Sequence, residues 1–307
     1  MMFDKLNNER SDFTNAIKSK ELEVIIPILV FIQANLHEDL ELDTVSKKAG
    51  LSSFYFHRMF KSVVGETLKQ YITRIKLEQA AFALKYWDEK VINISTDLGF
   101  KNSETFTRAF KRKYNITPKK FKEQPIHNQS SINVEDSYNP KVLSEFELSA
   151  VSIKRLRPIN VAFIRSVGPY EEVDPELFNK LIQWAKKNNV YSKDLLLIGV
   201  GLDAPSITPS SLLRFDSCIE VNQSFFSEGE ISYQQLGGGQ YATLTYVGPY
   251  GANMKYAYQK LYQEIHQARN IEFVGLPVIE IYKTTVINPK YQLNQTEIYV
   301  PIKVKKS

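Results

Sequence analysis

The sequence predicts a multidomain chain: an all-α domain with two helix-turn-helix units, then an α+β domain with duplicated β-α-β-β halves and a mostly antiparallel sheet. Three observations carry this. Apolar residues before position 123 recur at helical spacing, the segment 45–71 returns as 94–121, and the second half carries strand patterns that return at an offset of eighty. With 307 residues, the chain exceeds what one hydrophobic core usually serves.

The composition, 43% hydrophobic, 24% charged and 12% aromatic, is that of globular domains and excludes a disordered or fibrous chain. A single cysteine, Cys218, excludes an internal disulfide, a CxxC redox centre and a cysteine-rich zinc site. The four histidines, His37, His57, His127 and His266, lack metal-ligand spacing, so neither a metal nor a cofactor is expected. Val24–Ile32, the longest apolar run, contains Pro27 and is far below the roughly 20 residues that span a bilayer. The first residues, MMFDKLNNERSDF, hold no apolar export signal, so a cytoplasmic location without a membrane partner is expected.

The formal charge of +5 is unevenly placed. Residues 1–125 hold 21 basic against 16 acidic side chains, and residues 126–307 hold 18 of each. Within 90–125 the balance is nine basic to three acidic. Such density suits a phosphate backbone, or a solvated lysine-rich face, and charge alone does not choose.

The N-terminal elements follow from periodicity. Ile25, Ile28, Leu29, Ile32 and Leu36 make one apolar stripe; Tyr71, Ile75, Leu77, Ala80, Ala81 and Leu84 make another on a helix over 67–87. In each copy of the repeat a short helix meets a glycine, Gly50 or Gly99, where a tight turn needs positive φ, and a second helix begins about three residues later. The units span 40–64 and 91–114 within a domain placed at 20–123. Phe56, Met59, Phe60 and Val63, and in the second copy Phe106, Ala109, Phe110 and Tyr114, repeat at three and four and should be buried. The opposite faces present Phe54, His57, Arg58 and Lys61, and Ser103, Glu104, Thr107, Arg108 and Lys111. These are types that read base edges and phosphates, although either helix alone would also serve an unrelated bundle. A joining helix of about 20 residues is ~30 Å long, near the ~34 Å between successive major grooves on one face of B-DNA.

The stretch 40–123, with ELDTVSKKAGLSSFYFHRMFK, ITRIKLEQAAFALKYW and STDLGFKNSETFTRAFKRKYNITPKKFKE, resembles the AraC/XylS DNA-binding module. The resemblance implies promoter DNA as partner. It places base-contacting positions on Phe54, His57 and Arg58 and on Ser103, Glu104, Thr107 and Arg108. Asn115 stands where that family usually has glycine.

Residues 124–142 are polar, contain Pro125 and Pro140, and read as a linker to a second domain over 143–305. There VAFIRSVGPY (161–170) returns as YATLTYVGPY (241–250). Each copy gives a strand, a GPY turn, an amphipathic helix (about 174–188 and 252–268) and a hairpin. No Ser-His-Asp arrangement, dinucleotide loop or phosphate loop is present, so no catalytic residue is assigned and an enzyme is not expected. In Pro277–Tyr282, strand alternation sets Val278, Glu280 and Tyr282 on one face. The counterpart of Glu280 eighty residues earlier is Val200. A solvent-facing edge acid explains this pattern, as does a buried acid among Tyr170, Trp184, Tyr250 and Tyr282 that binds a lipophilic cation.

Residues 145–303 resemble the GyrI-like effector-binding domain through both VGPY turns, the LRFDSCIEV hairpin, PVIEIY and IYVPI. That resemblance implies two pseudo-symmetric halves around a small-molecule cleft, with Glu280 facing the ligand. Together the two halves suggest an effector-responsive transcription regulator that acts on RNA polymerase. A small-molecule hydrolase or a protein-interaction module in the second half is the alternative.

Overall fold

The computed structural model describes residues 2–87, 89–124, 146–191, 195–250, 253–268, 270–275, 277–283 and 294–304, the side chains of 2–17 excepted. The expected linker, past Gln124, lies outside them. Helix α1 (Met2–Ala34) precedes two helix pairs, α2 (Leu42–Lys48) with α3 (Ser53–Val64), and α5 (Val91–Asp97) with α6 (Ser103–Tyr114). Between them runs α4 (Leu68–Tyr86), and α7 (Pro118–Glu123) closes the series. Position 20, read from the sequence as the start of the domain, falls inside α1, which runs unbroken through it.

The starts of α3, α4, α6 and α7 are set by short polar side chains that take the free N–H groups of the first turn. Ser52 accepts from the Tyr55 amide at 3.3 Å and Asn102 from the Thr105 amide at 2.8 Å. Thr67 and Gln70 form a reciprocal capping box at α4, and Thr117 caps α7 by accepting from the Lys120 amide alone, so the fifty-residue repeat runs through a third helix. Gly65 ends α3 at φ 81° and Asn115 ends α6 at φ 60°. Asparagine tolerates this left-handed conformation, so the second unit terminates as the first does. Phe56, Phe60, Phe106 and Phe110 are fully buried. Each contributes about 1.5–3 kcal/mol of transfer free energy. Val63, Ala109 and Tyr114, expected with them, are half-buried. Both predicted apolar stripes lie in the core.

The second domain runs β1 (Glu147–Leu148), β2 (Ser152–Arg155), β3 (Ile159–Val167), α8 (Glu176–Lys187), β4 (Leu197–Gly201), β5 (Arg214–Glu220) and β6 (Ser232–Leu236). It continues with β7 (Gln240–Val247), α9 (Met254–Gln267), β8 (Ile271–Phe273), β9 (Val278–Tyr282) and β10 (Gln295–Val304). The sheet order is β1-β7-β10-β9-β4-β5-β3-β6, with β2 also on β7 and β8 also on β10. The pairings among the described residues are antiparallel. The halves interlock by exchanging first strands: β2 leads into β3 but pairs with β7, while β6 leads into β7 but pairs with β3. The central pair, β4 with β9, joins the halves.

One face of the sheet carries α8, over Ala162, Ile164, Leu197 and Ile219, and α9, over Ala242, Leu244, Val278 and Ile298. On the other face, Val161, Phe163, Ile198, Val200, Cys218 and Ile279 share a continuous core with α1, Phe56, Phe60 and Tyr71. The second helix-turn-helix unit has its own core, Leu77, Ala80, Ala81 and Leu84 of α4 with Ile94, Phe106 and Phe110.

Candidate nucleic-acid interface and ligand site

Burial of the phenylalanine stripes turns the polar faces of α3 and α6 outward. Phe54 is 73% exposed although it is a large apolar ring. Arg58 lies over it at 5.8 Å from the ring centre. Arg58 and Lys61 are exposed, and His57 is half-buried. On α6, Ser103, Glu104, Arg108 and Lys111 are exposed and Thr107 is half-buried. Arg108 is held only loosely, with Nε 3.9 Å from the Glu104 carboxylate one turn away and both side chains more than 70% exposed. Tyr55 is 54% exposed next to Phe54 but lies off the three-and-four spacing of that face. Nineteen-residue α4, ~28 Å long, joins the two units. Glu78 of α4 accepts from Lys113 of α6 at 2.8 Å and from Arg74 at 3.2 Å, fixing α6 against that spacer.

In the second domain Glu280 is only 6% exposed. Its partners are three hydroxyl groups: Tyr282 donates at 2.7 Å, Tyr250 at 3.0 Å, and Tyr258 to the other carboxylate oxygen. The Tyr250 and Tyr282 hydroxyls lie 3.0 Å apart. Phe178 of α8 closes the cluster edge-on against the Tyr282 ring at 5.8 Å. Burial pushes all three phenols well above the ordinary tyrosine range, and the neighbouring Glu280 acts in the same direction. They therefore remain donors at neutral pH.

Tyr258 was not singled out from the sequence. Its signal is a tyrosine on the otherwise apolar face of α9, eighty residues after Phe178 on α8. Val200, the eighty-residue counterpart of Glu280, is not its structural counterpart. Register pairs Glu280 with Gly199, and Val200 with Ile279 on the opposite face. Directly paired residues share a face, so one residue of slippage sends Val200 to the other side of the sheet. Tyr170 stands apart from the cluster: its hydroxyl donates to the Asp203 carbonyl at 2.8 Å and accepts from the Asp203 amide at 3.1 Å. Trp184 also lies elsewhere, donating from Nε1 to Glu228 at 2.7 Å and packing on Phe225. Among the described residues, no three His, Cys, Asp or Glu side chains gather to hold a metal, and no helix is long and apolar enough to cross a membrane.

Residues 149–303, about half of the chain, match the family described as a GyrI-like small molecule binding domain, and residues 45–124 match a helix-turn-helix domain. Regulatory protein SoxS of Salmonella typhimurium is 32% identical over 102 residues, 33% of this chain and 95% of that protein. The transposon Tn10 TetD protein of Escherichia coli is 32% identical over 123 residues, 40% of this chain and 88% of that protein. Among solved structures, the C-terminal domain of EcmrR is similar at 18% identity and a TM-score of 0.40, over 52% of this chain and 98% of that one. The chain belongs to the GyrI-like small molecule binding family and joins that domain to an AraC-type helix-turn-helix, the organisation of a DNA-binding transcription regulator with a small-molecule domain.

Proposed function

We propose that the protein binds promoter DNA with α3 and α6 in successive major grooves, and that its second domain senses a lipophilic cation at Glu280. The observation that carries the ligand class is the buried carboxylate surrounded by neutral hydroxyls and rings. A buried acid costs several kcal/mol of desolvation unless it is paired, and hydrogen bonds offset only part of this. An incoming cation recovers the rest through charge and through the faces of Tyr250, Tyr258 and Tyr282. A neutral ligand would gain neither term. Acting from a promoter, the protein would influence RNA polymerase.

Calorimetric titration of the full chain with tetraphenylphosphonium, a neutral triaryl analogue and a triaryl anion tests the reading. Saturable binding selective for the cation, weakened at least tenfold by Glu280→Gln, is expected. Equal affinity in the variant, or preference for the anion, would overturn it, and hydrolysis of a supplied ester by the wild type alone would favour an enzyme.

A further inference from the structure

We infer that the ligand site is wired to the first helix-turn-helix unit through Arg214 and Tyr71. This rests on the ligand reading of Glu280, but its test does not use a ligand.

Arg214 is buried where the two domains meet, its side chain 4% exposed. Three of its donors stay within its own domain: the amide and Nε bond one Asp203 oxygen at 2.8 and 2.9 Å, and Nη2 bonds the other at 2.7 Å. Nη1 reaches across, to the Tyr71 hydroxyl on α4 at 2.7 Å and to Gln33 on α1 at 3.1 Å. A buried ion pair of this kind seldom adds stability over an apolar replacement, but it fixes which groups meet. Tyr71 in turn packs edge-on against Phe60 of α3 at 5.7 Å, and Phe60 against Phe56 at 5.6 Å. These rings form the buried side of the helix whose outer side carries Phe54, His57, Arg58 and Lys61.

Towards Glu280 the contacts are equally close. Tyr170 holds the Asp203 backbone through its hydroxyl and packs on Phe215 at 5.6 Å. Phe215 and the Tyr282 hydroxyl together fill the space over Gly199, where a Cβ would lie 2.5 Å from one and 2.3 Å from the other. Tyr282 donates to Glu280. A ligand that withdraws the Tyr282 hydroxyl from the carboxylate therefore disturbs the packing of Phe215, and through Tyr170 the anchor of Arg214. On the DNA side, α1, α3 and Tyr71 share one core with the sheet, while the end of α4 meets the second domain separately, Phe82 on Phe273 and Tyr86 on Tyr262. The disturbance arrives at α3.

The test is a double-mutant cycle in the full chain, read as affinity for a duplex selected by the wild type from random sequence. Tyr282→Phe should change that affinity at least fivefold, and in a Tyr71→Phe background by less than twofold. The Tyr282→Phe effect should also vanish when the half-site under α3 is scrambled. Equal changes in both backgrounds, an unchanged affinity in Tyr282→Phe, or an effect that persists with the α3 half-site scrambled would each overturn the inference. Circular dichroism of each variant checks folding, and Gln33→Ala replaces Tyr71→Phe if the latter is unfolded. Failure of cation binding with an intact cycle would remove the ligand reading alone.

Discussion

Gly199 lies directly across the strand pair from Glu280, and the space its missing side chain leaves is occupied by the Tyr282 hydroxyl. The duplication of the domain is broken there by chemistry: one half supplies the carboxylate and the other supplies room for a hydroxyl to reach it. Gly199→Ala should drive the phenol away or strain the strand, because no real Cβ tolerates a neighbour at 2.3 Å. The expected cost is ~1–3 kcal/mol of stability, the usual range for overpacking. Affinity for tetraphenylphosphonium should fall with it, by about tenfold. Denaturant unfolding and calorimetry on the same preparation measure both, and an unchanged affinity would detach Tyr282 from recognition.

The two helix-turn-helix glycines respond differently to the same replacement. Both have positive φ, 69° at Gly50 and 68° at Gly99, so alanine costs ~1–2 kcal/mol at either from the left-handed backbone. A Cβ on Gly50 meets nothing within 4 Å, but on Gly99 it would lie 2.5 Å from the His37 carbonyl oxygen. Gly99→Ala should therefore be the more destabilising in a urea titration, by a further ~1–3 kcal/mol. Equal midpoints would mean that the segment carrying His37 gives way freely.

Sequence periodicity reached much of this architecture because its causes are local. The caps Ser52, Thr67, Asn102 and Thr117, the left-handed Asn115 and the phenylalanine stripes each act within a few residues. The face of Glu280 was legible from alternation. Its surroundings were not: Tyr258 comes from a helix packed over the sheet, and Gly199 becomes its opposite only through strand register, which an eighty-residue offset misses by one. Arg214 was hidden for the same reason, since its meeting with Tyr71 spans 143 positions in sequence. Trp184 and Tyr170 fit a cluster by residue type alone, and packing turns them to Glu228 and Asp203.

Arg108 is free to leave its 3.9 Å contact with Glu104, and the exposure of both side chains makes that pair weak. Arg108→Ala should cost ~1–3 kcal/mol on a selected operator, the range for one bidentate base contact. On random duplex of the same length the loss should be much smaller. An equal loss on both would assign Arg108 to phosphate, and the salt slope would then fall by about one as well.

The tyrosine cage also predicts how stability responds to alkali. In the folded chain burial and Glu280 hold the phenols of Tyr250, Tyr258 and Tyr282 well above the ordinary value, whereas in the unfolded chain they ionise near ~10. Below pH ~10 neither state loses these protons and the contribution is fully present. As the pH rises past that point the unfolded chain releases them while the folded chain keeps them, so the unfolded state gains. Each phenol then removes up to ~1.4 kcal/mol of stability per pH unit until its folded value is reached. Chemical denaturation between pH 9 and 11 should show a shallower decline for Tyr282→Phe than for the wild type, by the share of one phenol. Coincident slopes would mean that the Tyr282 hydroxyl titrates as freely in the folded protein as in water.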